Sequence, residues 1–354
     1  MKEFSAIGID TSKAHFAVSG ADASGREVWR ESGTPARMKK KLSALAPTLI
    51  GIEACRGAHL LARELVAMGH DARIVPPQLA KPFVGRNKND AADARAICRA
   101  VREPDTTFVP IKSEAQQAAA MLVDHRRALQ ARRTEIGNRV RGYAAELGIV
   151  APQGARYIPT ILGEILARTD LPTHARLVFE DLADEWERLG PRVAAAEAAL
   201  VKAARASEAC RRLMEVPCVG PVVAWRTMVA VGDPRRFRSG RAFAGWLGLT
   251  PRDHTTANRQ RLGAITRAGD MALRADLVCA ATALLQQVKR RGEEACGGGR
   301  LVAWAARLLP KKKFKEVAVA LANRVARILW KLLASGARFD RDHGPALEPL
   351  EAAA

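Results

Sequence analysis

Across 354 residues, 57 lysines and arginines oppose 37 aspartates and glutamates, so the chain carries a formal net charge of +20. An excess of that size points to polyanionic partners, nucleic acid first among them, while 48% hydrophobic and 27% charged residues mark a folded chain of two or three domains. The pattern excludes three classes: a membrane protein, with no apolar run near the roughly 18 residues of a span; a secreted disulfide scaffold; and an enzyme of small cationic substrates. The first ten residues hold Glu3 and Asp10 instead of a cleavable apolar core, and six cysteines form neither C-x-x-C nor zinc spacing, which suits a reduced cytoplasm.

The first third alternates strands and helices. Residues 4–10 are a short apolar run ending in an acid, and residues 15–19 and 27–29 follow after breaks at Gly20 and Gly25, three strands of an antiparallel meander. Residues 48–53 are a fourth strand. Leu60, Leu61, Leu65 and Met68 mark an amphipathic helix, and residues 72–75 a fifth strand stopped by Pro76 and Pro77. Residues 90–101 read as a helix. A meander followed by β-α-β-α predicts a mixed sheet with helices packed on it.

The middle is helical. Ser113 and Gln116 have capping-box spacing at the head of a long helix. Leu122, Leu129, Ile136, Val140, Tyr143 and Leu147 recur at helical spacing, as do Leu182, Trp186, Leu189, Val193, Ala196 and Leu200. These are two coiled-coil seams, read as antiparallel arms joined around residues 152–172, with Pro191 expected to kink or split the second. Six arginines, Arg126, Arg127, Arg132, Arg133, Arg139 and Arg141, share the first arm with Glu135 as the only acid among them, a track for RNA or DNA phosphates.

From Cys210 the chain is helical and basic. Residues 214–221 resemble a helix-hairpin-helix, whose glycine turn would bring backbone N–H groups to a phosphate. Lys311, Lys312, Lys313 and Lys315 precede a helix with Val317, Leu321, Val325, Ile328 and Leu332 on one face. In a chain this basic, the lysine run reads as a phosphate-backbone contact. The expected domains are residues 1–110, 111–206 and 207–345, with a tail at 346–354.

Four acids stand out by position. Asp10 and Glu53 end the first and fourth strands, and Asp90 and Asp93 lie three apart on one helix face. Brought together, they would repel one another unless cations neutralise them, and oxygen-only ligands select Mg²⁺ or Mn²⁺. Two such ions roughly 3.5–4 Å apart serve phosphoryl displacement. An Ile-Gly-Ile-Asp-Thr start also suits actin-like sugar kinases, but the internal duplication that reading needs is missing and it leaves the charge unexplained.

The strand Ile7-Gly8-Ile9-Asp10, the run from Gly51 to Gly57 and the segment from Arg86 to Arg95 resemble the Asp-Glu-Asp-Asp catalytic domain of the insertion sequence 110 transposase family, with its 1111 subgroup and the pilin-gene invertase. Lys88, Asp90, Asp93, Ala94 and Arg95 carry its most specific pattern. Residues 243–252 and 261–270 look like that family's C-terminal transposase domain. The resemblance spans nearly the whole chain in order. It implies an α/β plus all-α architecture: a RuvC-like ribonuclease H fold, a coiled coil and a helical transposase domain. It further implies a DNA recombinase guided by a structured RNA from the element's flank, acting on target and donor DNA, with Asp10, Glu53, Asp90 and Asp93 as metal ligands.

Strand exchange in that family uses a serine of the C-terminal domain beside the acidic site of a partner subunit, which implies a homodimer or homotetramer. The corresponding stretch here, residues 254–259, offers Thr256 and Thr255 instead, and Ser239 lies upstream of it. Threonine can attack, but its β-methyl crowds the phosphorus and restricts χ1. Thr256 is the first candidate and Thr255 the second. Two rival readings are a metal nuclease using water and a non-catalytic nucleic-acid-binding derivative.

Overall fold

The computed structural model describes residues 4–84, 89–255, 261–292, 294–297 and 299–342. The chain divides into two compact units, residues 1–117 and 118–354.

The first unit is built on strands β1 (Ala6–Thr11), β2 (Phe16–Ala21) and β3 (Glu27–Gly33), helix α1 (Pro35–Leu42), β4 (Leu49–Glu53), α2 (Ala58–Ala67), β5 (Asp71–Val75), the single turn α3 (Pro77–Ala80) and α4 (Asp90–Ala100). The sheet order is β3-β2-β1-β4-β5. The first three strands form the antiparallel meander that their short loops predict, and β1, β4 and β5 are parallel. Helix α1 was not legible as an element. Thr34 caps it by accepting from the Arg37 N–H, Pro35 opens it, and only Met38 and Leu42 are buried.

Side chains alternate across a strand, so β1 and β4 each feed two cores. Ile7, Ile9, Ile50 and Ile52 pack against Met38 and Leu42 of α1 and Leu61 and Leu65 of α2. Ala6 faces the other way, toward Ile97 and Cys98 of α4 and Val101 just beyond it. The sheet is therefore covered on both faces.

The capping box forms as the spacing predicts: the Ser113 N–H donates to Gln116 Oε1 while the Gln116 N–H donates to Ser113 Oγ. It opens α5 (Glu114–Glu146), most of which belongs to the second unit. There α6 (Ile158–Leu166) and α7 (Thr173–Ala206) join it in one apolar cluster containing Leu129, Ile136, Val140, Ile161, Phe179, Leu182, Trp186 and Leu189. Arg126 pairs with Glu197 and Arg132 with Glu185, so residue numbers rise on α5 as they fall on α7, and the two helices are antiparallel. Pro191 does not split the second arm: α7 is one helix from end to end. Because Pro191 is exposed, solvent can satisfy the carbonyl its missing N–H leaves free.

The rest of the unit comprises α8 (Glu208–Leu213), α9 (Pro221–Val231), α10 (Gly240–Trp246), the hairpin β6 (Pro251–Asp253) and β7 (Leu262–Ile265), α11 (Met271–Arg291), α12 (Gly299–Leu308) and α13 (Phe314–Ser335). Val317, Leu321, Val325, Ile328 and Leu332 are all buried, as their spacing on α13 predicts. They meet Leu213, Phe243, Leu277 and Leu285 in the largest core. The turn from α8 to α9 differs from the glycine-turn reading. Its left-handed residue is Cys218 (φ 68), and a Cβ on Gly220 would meet nothing within 4 Å. Among the described residues no helix is long and apolar enough to cross a membrane.

Candidate functional site

The parallel pairing of β1 with β4 sets Ile9 beside Ile52, so Asp10 and Glu53 follow at the same end of adjacent strands. Alternation puts Asp10 on the face of Gly8 and Glu53 on the face of Gly51. That face carries α4: a Cβ on Gly8 would stand 2.1 Å from the Ala94 carbonyl oxygen, and one on Gly51 2.8 Å from Val101 Cβ. Gly8 and Gly51 are themselves register partners. Together they let the helix lie against the sheet. Its first turn, capped by Asn89 Oδ1 accepting from the Ala92 N–H, carries Asp90 and Asp93.

The charges of the other three acids reach Asp10. Burial first, then the carboxylates of Glu53, Asp93 and Asp90, raise the half-buried Asp10 carboxyl above the ordinary carboxylate range. All four donors are carboxylate oxygens, the chemistry of a hard divalent cation, and their mutual repulsion is what such an ion would relieve. They are gathered rather than closed around one point: among the described residues no three His, Cys, Asp or Glu side chains are arranged to hold a metal ion.

A groove of about 510 Å³ is lined by Thr11, Ser12, Lys13, Arg56 and Gly57, which follow Asp10 and Glu53 in the chain, and on its other side by apolar residues such as Phe16 and Leu60 and by the Lys39–Glu64 pair. Gly57 stands at φ 91, a left-handed start to α2 that keeps this turn tight. Lys13 and Arg56 escaped the sequence reading. Their signal is a cation three residues after each strand-end acid.

In the second unit, the two C-terminal motifs interlock. Gly248 (φ 68) leaves a built Cβ 2.2 Å from the Ala268 amide, and Gly269 (φ 64) leaves one 1.9 Å from the Trp246 carbonyl. The Thr266 N–H donates to the Thr250 carbonyl at 2.9 Å, and Asp270 caps α11. This frame carries the β6–β7 hairpin. Thr255 lies just beyond β6, exposed, its N–H donating to Asp253 Oδ1 at 2.9 Å and its hydroxyl donating to the same oxygen. Those two bonds hold the Asp253 carboxyl below its ordinary value. Thr256 lies outside the described residues, as do Arg86, Asn87 and Lys88. Ser239, the upstream serine, is occupied as the N-cap of α10, where its Oγ accepts from the Ala242 N–H at 3.2 Å.

The six arginines of α5 are less available than their sequence suggests. Arg126 and Arg132 pair with glutamates of α7, Arg139 with Glu135, and Arg141 bonds Asn138. Arg133 lies 4.5 Å from the Trp186 ring centre. Arg126 and Arg127 line one groove with Gln130, while Arg133 and Arg141 line another with Gln153. Lys311, Lys312 and Lys313 are all exposed. Lys289 stands 5.7 Å over the Phe314 ring, which brings the basic end of α11, Lys289 to Arg291, beside the start of α13. That second basic run is a further feature the sequence did not single out.

Residues 7–147 match a family described as a DEDD transposase of insertion sequence 110 type, and residues 210–295 the transposase IS116/IS110/IS902 family. A Sinorhizobium fredii protein named as the transposase y4pF/y4sB is 46% identical over 96% of this chain and 87% of its own length. The transposase for insertion sequence element IS1111A of Coxiella burnetii is 31% identical over 94% of this chain and 90% of its own. That for element IS1328 of Yersinia enterocolitica is 30% identical over 96% and 100%. With relatives matched along almost their whole length, the chain belongs to the insertion sequence 110 family of transposases, enzymes of DNA recombination.

Proposed function

We propose that this transposase is an RNA-guided DNA recombinase whose strand transfer runs through a covalent protein–DNA ester, in a homodimer or homotetramer. The observation that carries the reading is the gathering of Asp10, Glu53, Asp90 and Asp93 where β1, β4 and α4 meet. The β3-β2-β1-β4-β5 order, with its meander and parallel half, supports a RuvC-like ribonuclease H fold for the first unit.

In this mechanism the four carboxylates would hold Mg²⁺ or Mn²⁺, which when bound would polarise a scissile phosphate as a Lewis acid. The protein's own part is positional. Two strand ends and one capped helix turn fix the carboxylates, and Lys13 and Arg56 in the adjoining groove hold flanking phosphates. A hydroxyl of Thr256, or of Thr255, then attacks phosphorus. One P–O bond forms to the threonine as the bond to the 3′-oxygen breaks, and the departing oxygen takes a proton. For Thr255 the hydroxyl proton passes to Asp253, which already accepts its hydrogen bond. A carboxyl held low is a weak base, which fits a slow nucleophile.

The test combines the purified chain, RNA from the element's flank, labelled target DNA and Mg²⁺, followed by a search for a denaturation-resistant adduct. An adduct mapped to Thr256 or Thr255 and lost in Asp10→Ala supports the recombinase. An adduct on Ser239 keeps the chemistry and reassigns the nucleophile. Cleavage with no adduct would make the protein a metal-dependent nuclease, and RNA binding with neither would make it a binding protein only.

A further inference from the structure

On α12, Arg300, Trp304 and Arg307 stand four and three residues apart, so all three share one helix face. From α13 the Arg324 guanidinium stacks on the Trp304 ring, 4.5 Å from its centre. Its Nε is buried without a hydrogen-bond partner. Arg300 and Arg307 are exposed, whereas Arg324 and Trp304 are half-buried. We propose that Arg300, Arg307 and Arg324, set around Trp304, form a phosphodiester-binding site for the backbone of duplex nucleic acid.

Three features favour a polyanion over plain solvation. Stacking on Trp304 fixes the plane of Arg324 and leaves its edge to donate, which suits the paired oxygens of a phosphate. The charged groups acting on Arg324 are three more arginines, Arg327, Arg300 and Arg307; they add to burial in pushing its pKa down. A cluster of like charges is relieved by an anion that touches several of them at once. Size gives the third argument. Seven residues of helix place the backbones of Arg300 and Arg307 about 10.5 Å apart, wide enough for their side chains to meet successive phosphates of one strand.

The site lies within the second unit and does not depend on the acid cluster, so recombination chemistry and this inference can fail separately. Binding of the full chain to duplex DNA and to duplex RNA of equal length tests it, by fluorescence anisotropy across about 0.05–0.2 M salt. The variant Arg300→Ala/Arg307→Ala removes two exposed charges, with Arg192→Ala/Lys202→Ala on α7 as a control of equal charge change. The cluster variant is expected to lower the salt slope by about 1.8 and to weaken binding roughly thirtyfold at physiological salt. The control should shift neither by more than about a tenth of that. Arg324→Lys keeps the charge and loses the planar fork, so affinity should fall about fivefold with the slope unchanged. Loss on one duplex type identifies the occupant, and loss on both identifies the shared backbone. Equal behaviour of the cluster variant and the control on both duplexes overturns the proposal.

Discussion

Gly8 and Gly51 face one another across the β1–β4 pair, and both lie under α4. Their missing side chains set how closely the helix approaches the sheet, and therefore how near Asp90 and Asp93 come to Asp10 and Glu53. The two positions are not equivalent. A Cβ at Gly8 meets backbone, the Ala94 carbonyl at 2.1 Å and the Cys98 amide at 2.3 Å, whereas one at Gly51 meets side chains of Val101 and Ile97. Gly8→Ala must move the helix. Its expected cost is about 3 kcal/mol, with Gly51→Ala nearer 1 kcal/mol because rotamers can adjust. Chemical denaturation of both variants measures the difference, and equal costs would remove α4 as the constraint.

Asp10 makes a second prediction about the same cluster. Its carboxyl is raised by burial and by three neighbouring carboxylates, so the ionised cluster opposes folding. Asp10→Asn keeps the shape and removes one charge. Its Tm in chelator is expected to exceed that of the native chain even though activity is lost. Adding Mg²⁺ at about a hundred times its Kd should stabilise the native chain by about 2.7 kcal/mol and the variant much less. A variant that melts lower in chelator would mean that the four acids do not strain the apo fold.

What was legible in the sequence was what short-range periodicity encodes. The strand-end acids, the capping box at Ser113 and the apolar face of α13 all depend on spacings of two, three or four residues. Helix α1 was hidden because two buried residues in eight give little signal. The partners of Arg126 and Arg132 on α5 were hidden for a different reason. Their acids, Glu185 and Glu197, lie 53 and 71 positions away on α7, where local charge counting cannot reach. Gly8 and Gly51 look like ordinary strand residues until the register makes them neighbours. Lys13 and Arg56 gain meaning only once β1 and β4 are known to end side by side.

Arg226 is the one charged side chain of α9, and its side chain is only 6% exposed. Its Nε donates to Asp276 Oδ2 at 2.8 Å, one terminal nitrogen to Asp124 Oδ1 at 3.0 Å and the other to the Val123 carbonyl at 3.4 Å. It thereby ties α9 to α5 and α11 within the second unit. Because Asp124 is 65% exposed and Asp276 28%, the partners tolerate loss better than the arginine does. Arg226→Leu is expected to cost about 3–5 kcal/mol by leaving the half-buried Asp276 unpaired. Asp124→Asn should cost less than about 1 kcal/mol. Urea titration of the two variants gives the ranking, and its reversal would make Asp124 the main support.

Cys98 supplies the pH dependence. It lies buried between α4 and β1, its thiol donating to the Ala6 carbonyl at 3.5 Å, and burial pushes its pKa up from 9.0 to about 11. The folded chain therefore holds this proton more tightly than the unfolded chain. Its stabilising effect is complete below pH 9.0 and is lost as pH rises through about 11. That rise corresponds to about 3 kcal/mol at the upper end of the window. Cys218, pushed up to about 12, acts in the same direction. Cys210 is raised by burial as well; Cys98→Ala removes one of these contributions, so its stability should fall less steeply than that of the native chain between about pH 9 and 11. Exposed Cys55 and Cys279 should meanwhile react with a thiol reagent well before Cys98. If Cys98→Ala and the native chain lose stability in parallel across that window, the Cys98 thiol is not the group whose ionisation unfolds the first unit.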